Sequence, residues 1–473
     1  MIFLSFPIFL AAILLLLTLL TYLFRRWEQA VSVLTGLVCA LLSLLLLRAT
    51  TTDGLVNLLG GLLRVDMQAV VTRLGLTFQL TPTAVPILTL TLFLTALALL
   101  LNAATSQGRS FPPIALLTAS GYGFLVLLTD APVEPILLVP GLLALLASLG
   151  IYILQAGRLG KTLGPLRSLL PPLLAFPLFI LATWYIDSLA INPPDGVAAA
   201  AAARLLGLGL LLLLAPAPFH SAGPAMAEDA PPIAVALLLL LYQLAALALL
   251  FRINILFPFV YERSDLSLWL TGAGLLTAVW GGLAAAGSSH PGRLWGYALL
   301  HDWGLILLLL ASSDTSIWPL IVFLFALRII SVLAGAAGLA HLRRTIGSLD
   351  PDPLRGVGRS LPWSTLAYVL GGLGLAGFPL SAGFTGHWAA LQTVAETDWR
   401  IATVVLLASG GVVVGFVRLI RIFYDPKSQP DRAPEGLFNA LVAISAIVAA
   451  STVAVAPQLL DGPVDWVLKA FRL

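Results

Sequence analysis

Charge is what this sequence has least of. Only 10% of its 473 residues are Asp, Glu, Lys or Arg, while 59% are hydrophobic, against roughly 25% and 45–50% in soluble proteins. So few charged side chains cannot coat a soluble globule of this length, which excludes a soluble enzyme and requires most of the surface to face lipid. Cysteine is nearly absent as well. The single Cys39 lies in an apolar segment, makes no internal disulfide and is read as a packing residue. The net charge of +3 comes without any run of clustered Lys and Arg, which excludes a nucleic-acid partner. There is no cysteine cluster for iron–sulfur, no HExxH, no phosphate loop and no nucleophile triad, so no metal, cofactor or catalytic residue is expected in this chain.

What is present is a succession of apolar runs. A span takes about 20 residues, so about fourteen use most of the chain and leave no room for a soluble domain. Candidates fall near 2–24, 30–48, 83–104, 113–129, 134–155, 168–190, 196–219, 231–252, 266–287, 293–311, 316–342, 363–391, 400–424 and 435–457. The first is kept as a span rather than a signal peptide, because Arg25 and Arg26 follow its apolar run instead of preceding it. Lys and Arg collect in loops after odd-numbered spans, among them Arg109, Arg167, Arg343, Arg344, Arg355 and Arg359. Both termini are therefore expected on the outer side. Residues 49–80 carry Arg64, Asp66 and Arg73 among spaced Leu and Val, and read as an amphipathic element along that outer face.

Two spans are interrupted. In the seventh, Pro216, Pro218, Pro224, Pro231 and Pro232 forbid a continuous helix from Leu211 onward; in the twelfth, Gly377, Pro379 and Gly383 interrupt the span in mid-membrane. Unwound backbone at that depth has to be buried in protein or line a hydrated cavity. One break in each half points to an ion-handling fold of inverted repeats; the alternative is a pair of proline kinks that serve packing.

At these segments the sequence resembles the antiporter-like subunits of respiratory complex I, a family shared with multisubunit cation/proton antiporters and membrane-bound hydrogenases. Three stretches carry the likeness: Pro218-Phe219-His220 with Pro224 and Ala230-Pro231; Arg293-Leu294-Trp295-Gly296-Tyr297 with Gly304; and Leu354-Arg355-Gly356 through Leu361-Pro362-Trp363, followed by Leu375-Ala376-Gly377-Phe378-Pro379-Leu380-Ser381-Ala382-Gly383-Phe384-Thr385-Gly386-His387-Trp388. The nearest type is the quinone-proximal N subunit. The resemblance implies an all-α polytopic membrane fold of about fourteen helices with broken helices 7 and 12. It implies N-terminal helices over 1–104, two inverted five-helix repeats over 113–252 and 266–424, and a C-terminal helix and tail over 435–473. It also implies a bacterial or archaeal cytoplasmic membrane, and partners that are other antiporter-like and small membrane subunits, a peripheral redox arm holding the NADH:quinone chemistry, and lipid.

Such a fold moves protons along titratable side chains near the midplane, because a relay of ionisable groups and water lowers the cost of a charge in hydrocarbon. Most of the matching positions here hold no such group. Where relatives have relay lysines, this sequence has Leu213, Leu244 and Gly292, and the stretch matching a Trp-Glu pair, 135–142, has no carboxylate. His387 stands where relatives have Lys or Glu and is the leading proton-path candidate. His301 and Asp302, mid-span in the tenth helix, are expected to pair with Arg328 on the next, as a charge-balancing cluster or a conduit. Weaker candidates are His220, Asp229, Arg204 and Gln243, His220 reading as structural among its prolines and Arg204 as a snorkelling side chain. Two main readings remain open: a subunit that keeps the fold but not conduction, and one that conducts through its C-terminal cluster. A stand-alone solute transporter is a third.

Overall fold

The computed structural model describes residues 2–49, 54–73, 75–128, 150–151, 163–191, 196–425 and 434–471. Within them the chain is helical almost throughout, as expected of a multi-pass membrane protein. The first half contains α1 (Phe6–Leu23), α2 (Glu28–Ala49), α3 (Ala84–Ala104), α4 (Phe111–Val126), α5 (Leu163–Ile191), α6 (Gly196–Leu213), α7 (Ala222–Asp229) and α8 (Pro232–Leu256). The second half contains α9 (Phe259–Arg263), α10 (Leu266–Gly287), α11 (Pro291–Leu310), α12 (Trp318–Ile346), α13 (Val357–Ser360), α14 (Pro362–Gly374), α15 (Phe384–Phe423), α16 (Leu437–Val455) and α17 (Asp461–Ala470). Among the described residues eleven helices are long and apolar enough to cross a membrane, α4 being shorter. The expected span over 134–155 and its Glu134 lie outside the described residues, apart from a helical fragment at 150–151.

Within segment 49–80, read from sequence as an amphipathic element, the described residues form strands: β2 (Leu55–Leu58) runs antiparallel to β3 (Leu63–Asp66), which pairs in parallel with β1 (Ile2–Ser5), while β4 (Val71–Arg73) and β5 (Leu76–Phe78) make a hairpin. The cause is legible in β3, where Arg64 is exposed and the next residue, Val65, is wholly buried. That is the two-residue alternation of a half-buried strand. The spaced Leu and Val therefore mark an amphipathic element whose period is that of a strand.

The core sits between α8 and α11, which are enclosed on nearly all sides, while α1, α2, α5 and α16 turn Leu16, Leu34, Trp184 and Leu437 outward toward lipid. Small residues bring the inner helices together: a side chain at Gly281 on α10 would meet the backbone of His301 on α11, and one at Gly304 would meet Ala278. Close backbone approach of this kind replaces the hydrophobic drive that lipid removes. The forty residues of α15 would extend about 60 Å if straight, twice the hydrocarbon core of about 30 Å. The helix breaks at Asp398 (φ −151°, ψ 105°), whose carboxylate accepts the Arg400 N–H at 2.8 Å and restarts a second arm. α12 stops at Gly347, which takes the left-handed conformation (φ 80°). Gly347→Ala is expected to cost about 1 kcal/mol, measured by thermal unfolding of the purified chain in detergent.

Candidate functional site: a buried ion cluster between two broken helices

Both interruptions are true breaks with specific partners. α6 ends at Leu213, Ala215 has φ 48°, and the chain turns through Phe219–Ser221 into α7. The carbonyls freed there are taken up by side chains from other helices: Tyr242 on α8 donates its hydroxyl to Leu213 O (2.5 Å), and Trp303 on α11 donates Nε1–H to Leu214 O (2.9 Å). The Ala217 N–H in turn donates to Thr277 Oγ1 on α10 (2.9 Å). This is the satisfied backbone that irregular structure at membrane depth requires. The second break runs from α14 to α15. Gly377 (φ 65°) sits so close to the His387 imidazole that any side chain there would strike the ring.

Between the breaks lies a buried ion cluster. Arg328 on α12 is 1% exposed. Its Nε donates to Gln243 Oε1 on α8 (3.0 Å), its Nη1 donates to Leu299 O (3.1 Å), and the same Nη1 pairs with Asp302 Oδ2 on α11. Asp302 Oδ1 accepts a second bond from His387 Nε2 on α15 (2.7 Å). A carboxylate can only accept, so His387 carries its proton on Nε2. Among the described residues the other ring nitrogen, Nδ1, has no partner, and neither has Arg328 Nη2. The guanidinium also lies over Trp303, 5.6 Å from the ring centroid. Nearby, the His301 and His387 rings are 6.3 Å apart. His301 Nδ1 donates to Ala278 O (2.8 Å), and its Nε2 lies 2.8 Å from Ser409 Oγ on the second arm of α15.

With both imidazoles neutral the cluster balances: one guanidinium, one carboxylate. Paired charges with their remaining lone pairs satisfied are the form in which ions persist inside a protein. The two orphan nitrogens mark where the cluster accepts further hydrogen-bond partners. A cavity of about 110 Å³ reaches Arg328 and Gln243 from Ala215, Pro224 and Tyr242 at the first break. That is ample for water, and Arg328, Gln243 and Tyr242 give it polar partners.

The structure thus brings His387, His301, Asp302, Arg328 and Gln243 into one region, Gln243 more centrally than expected. Arg204 is exposed on α6, and Asp229 closes α7, where its carbonyl accepts Arg343 Nη2 (2.6 Å). His220 lies in the turn Phe219–Ser221, and its side chain is outside the described part. Leu213 is fully buried. Leu244 lines a cavity of about 100 Å³ walled by apolar side chains of α3, α8, α12 and α17. Gly292 backs onto the Ala227 carbonyl, leaving no room for a side chain. Stretch 135–142 lies outside the described residues. Among the described residues no three His, Cys, Asp or Glu side chains gather in a way that could hold a metal. Sequence reasoning passed over Ser409 and His341. Each is one ordinary letter in an apolar helix, and their partners come from 108 and 98 residues away.

A helical bundle with two broken helices and a buried ion cluster between them is the arrangement that the resemblance to antiporter-like membrane subunits implies. A family model described as NADH:quinone oxidoreductase/Mrp antiporter, TM, matches residues 181–414, which hold both breaks and the whole cluster. Over these residues, just under half of its length, the chain is similar to this family.

The chain is 28% identical over 240 residues to NADH-quinone oxidoreductase subunit N of Granulibacter bethesdensis, covering 49% of this chain and 48% of that one. It is 30% identical over 173 residues to subunit N 1 of Herpetosiphon aurantiacus, covering 36% and 35%. The chain thus covers at most about half the length of these two relatives. Solved structures share the fold at lower identity. A chain of the archaeal membrane-bound sulfane sulfur reductase matches with a TM-score of 0.78 at 19% identity, over 98% of this chain and 97% of that one. A chain of Thermus thermophilus respiratory complex I matches with 0.70 at 21%, over 95% and 98%, and one of the Mrp complex of Dietzia with 0.75 at 17%, over 98% and 96%.

Proposed function

We propose that this chain is an antiporter-like subunit of a multisubunit, complex-I-like membrane assembly, and that it serves there as a fold and docking element without carrying a proton across the membrane by itself. The observation that supports this is the contrast between its halves. Arg328, Asp302 and His387 form a charge-balanced knot in the second half, while the matching positions of the first hold Leu213, packed in the core, and Leu244, facing an apolar cavity. Leucine has no titratable group to pass a proton on. On this reading the chain holds no cofactor, the redox chemistry belongs to partner subunits, and both termini face the outer side of a bacterial or archaeal cytoplasmic membrane.

A second reading has its own support. His387 presents a buried ring nitrogen, Nδ1, that has no partner among the described residues, while its Nε2 faces the Asp302 carboxylate, and an intramembrane histidine so placed is a candidate for a proton path. Proton flux in liposomes carrying the assembled complex separates the two, comparing wild type with His387→Ala. Unchanged protons per turnover is the expected result. A loss of protons per turnover would overturn the scaffold reading. Purification without any redox or antiporter-like partner would instead favour a stand-alone transporter.

A further inference from the structure

His341 and Glu435 are buried titratable groups that the central cluster does not use. His341 lies near the end of α12, about 20 Å along the helix from Arg328 at 1.5 Å per residue. Glu435 lies just before α16, and its side chain is 3% exposed. Its carboxylate accepts the N–H groups of Trp363 (3.0 Å) and Ser364 (3.1 Å) and the Ser364 hydroxyl, so it caps the first turn of α14 from a distant part of the chain. Burial pushes the Glu435 carboxyl up, and the bonds from His341, Ser364 and Trp363 outweigh it, leaving the group below the usual carboxylate range.

A covered, ionised carboxylate calls for a cation. Among the described residues, His341 is the group within reach, its Nδ1 being 3.4 Å from Glu435 Oε1. The neighbouring arginines of α12 are directed elsewhere, Arg343 onto the carbonyls of Asp229 and Ala230 and Arg344 onto that of Ala104. The other walls of the small cavity at this point, Leu101 and Thr105 from α3, Ile233 from α8 and Val442 from α16, carry no titratable group. The imidazole is also furnished for two protons. Nδ1 lies 2.7 Å from Ser364 Oγ, and Nε2 lies 3.0 Å from the Asn439 amide, whose Oδ1 is buried without a partner. Turning that amide over presents the orphan oxygen to an Nε2–H, so both ring nitrogens donate.

We propose that His341 and Glu435 form a proton-binding site, in which His341 holds the proton as imidazolium, Glu435 is its counter-ion, and Ser364 and Asn439 complete the cage. The site fastens α16 to α12 and α14. As pH rises through the His341 midpoint the proton leaves, Glu435 loses the cation that faces it among the described residues, and the start of α16 loosens. The fastening is therefore lost on the alkaline side of that midpoint and holds below it for as long as Glu435 stays ionised.

Ring ¹⁵N NMR of the full-length chain in lipid nanodiscs tests this, the His341 signals being identified by their loss in His341→Gln. The expected result is an imidazolium at His341 whose midpoint falls by about one pH unit or more in Glu435→Gln. A His341 that stays neutral throughout, or an unchanged midpoint in Glu435→Gln, would overturn the site. If Glu435→Gln does not fold, hydrogen exchange of the wild type decides. Amides at the start of α16, corrected for intrinsic rates, should lose protection above the His341 midpoint, and protection independent of pH would overturn the proposal.

Discussion

Arg328→Met is expected to destabilise the protein by about 3–5 kcal/mol, because it removes the cation that balances Asp302 and leaves a carboxylate uncompensated in a closed interior. Asp302 is 2% exposed, and among the described residues its other partner is His387. The expected signature is asymmetric. The double variant Arg328→Met/Asp302→Leu, which removes both charges, should recover most of the loss, because a buried ion pair is worth little more than a well-packed apolar substitute. Reversible unfolding in mixed micelles of the wild type, each single variant and the double variant reads the cycle. A double variant as unstable as the two singles combined would show that the charges act independently and that the knot is not the unit. Arg328→Lys should fall between, since an ammonium lacks the planar fork that reaches Gln243, Leu299 and Asp302 together.

Gly281→Leu is expected to be a strongly damaging apolar substitution in the second half. A side chain at this position runs into the His301 backbone, so α10 and α11 have to separate. Overpacking typically costs about 1–3 kcal/mol, and here it also draws His301 away from its bond to Ala278 O. The upper end of that range, or loss of a monodisperse protein in detergent, is the expected result. Gly410→Ala is the control. Nothing lies near that position, and it sits within a helix, where alanine is favoured over glycine by about 1 kcal/mol. Its melting temperature should rise slightly; equal effects at the two positions would mean that the α10–α11 approach is not what the glycine serves.

The two breaks and the ionisable residues beside them were legible in the chain itself, because Pro216, Pro218, Gly377 and Pro379 interrupt helices through local covalent geometry, whatever packs around them. The pairing of Arg328 with Asp302 was also expected, since isolated charges at that depth have few alternatives to one another. What escaped notice falls into two kinds. The strands at 55–78 were missed because alternation over four residues is a short signal, and the pairing that makes it a sheet joins Ile2–Ser5 to Leu63–Asp66 across some sixty residues. Gln243, Ser409, His341 and Glu435 were underrated or unseen because a single polar residue carries no periodicity; its meaning lies in which helix faces it.

Composition and local geometry alone therefore determined that this protein lives in lipid, that it crosses many times, and where two of its helices must break. A scarcity of charge is a property of the whole chain, and a proline acts on its own backbone, so neither depends on the fold. The tertiary structure decided which charges meet. Arg328, Asp302, His387 and Gln243 come from four helices, of which α11, α12 and α15 approach one another at Gly335 and Gly386. The same packing closed the place at Gly292 and left Leu244 facing an apolar cavity. Long-range contacts of this kind are set by the geometry of packing, and no stretch of sequence contains it.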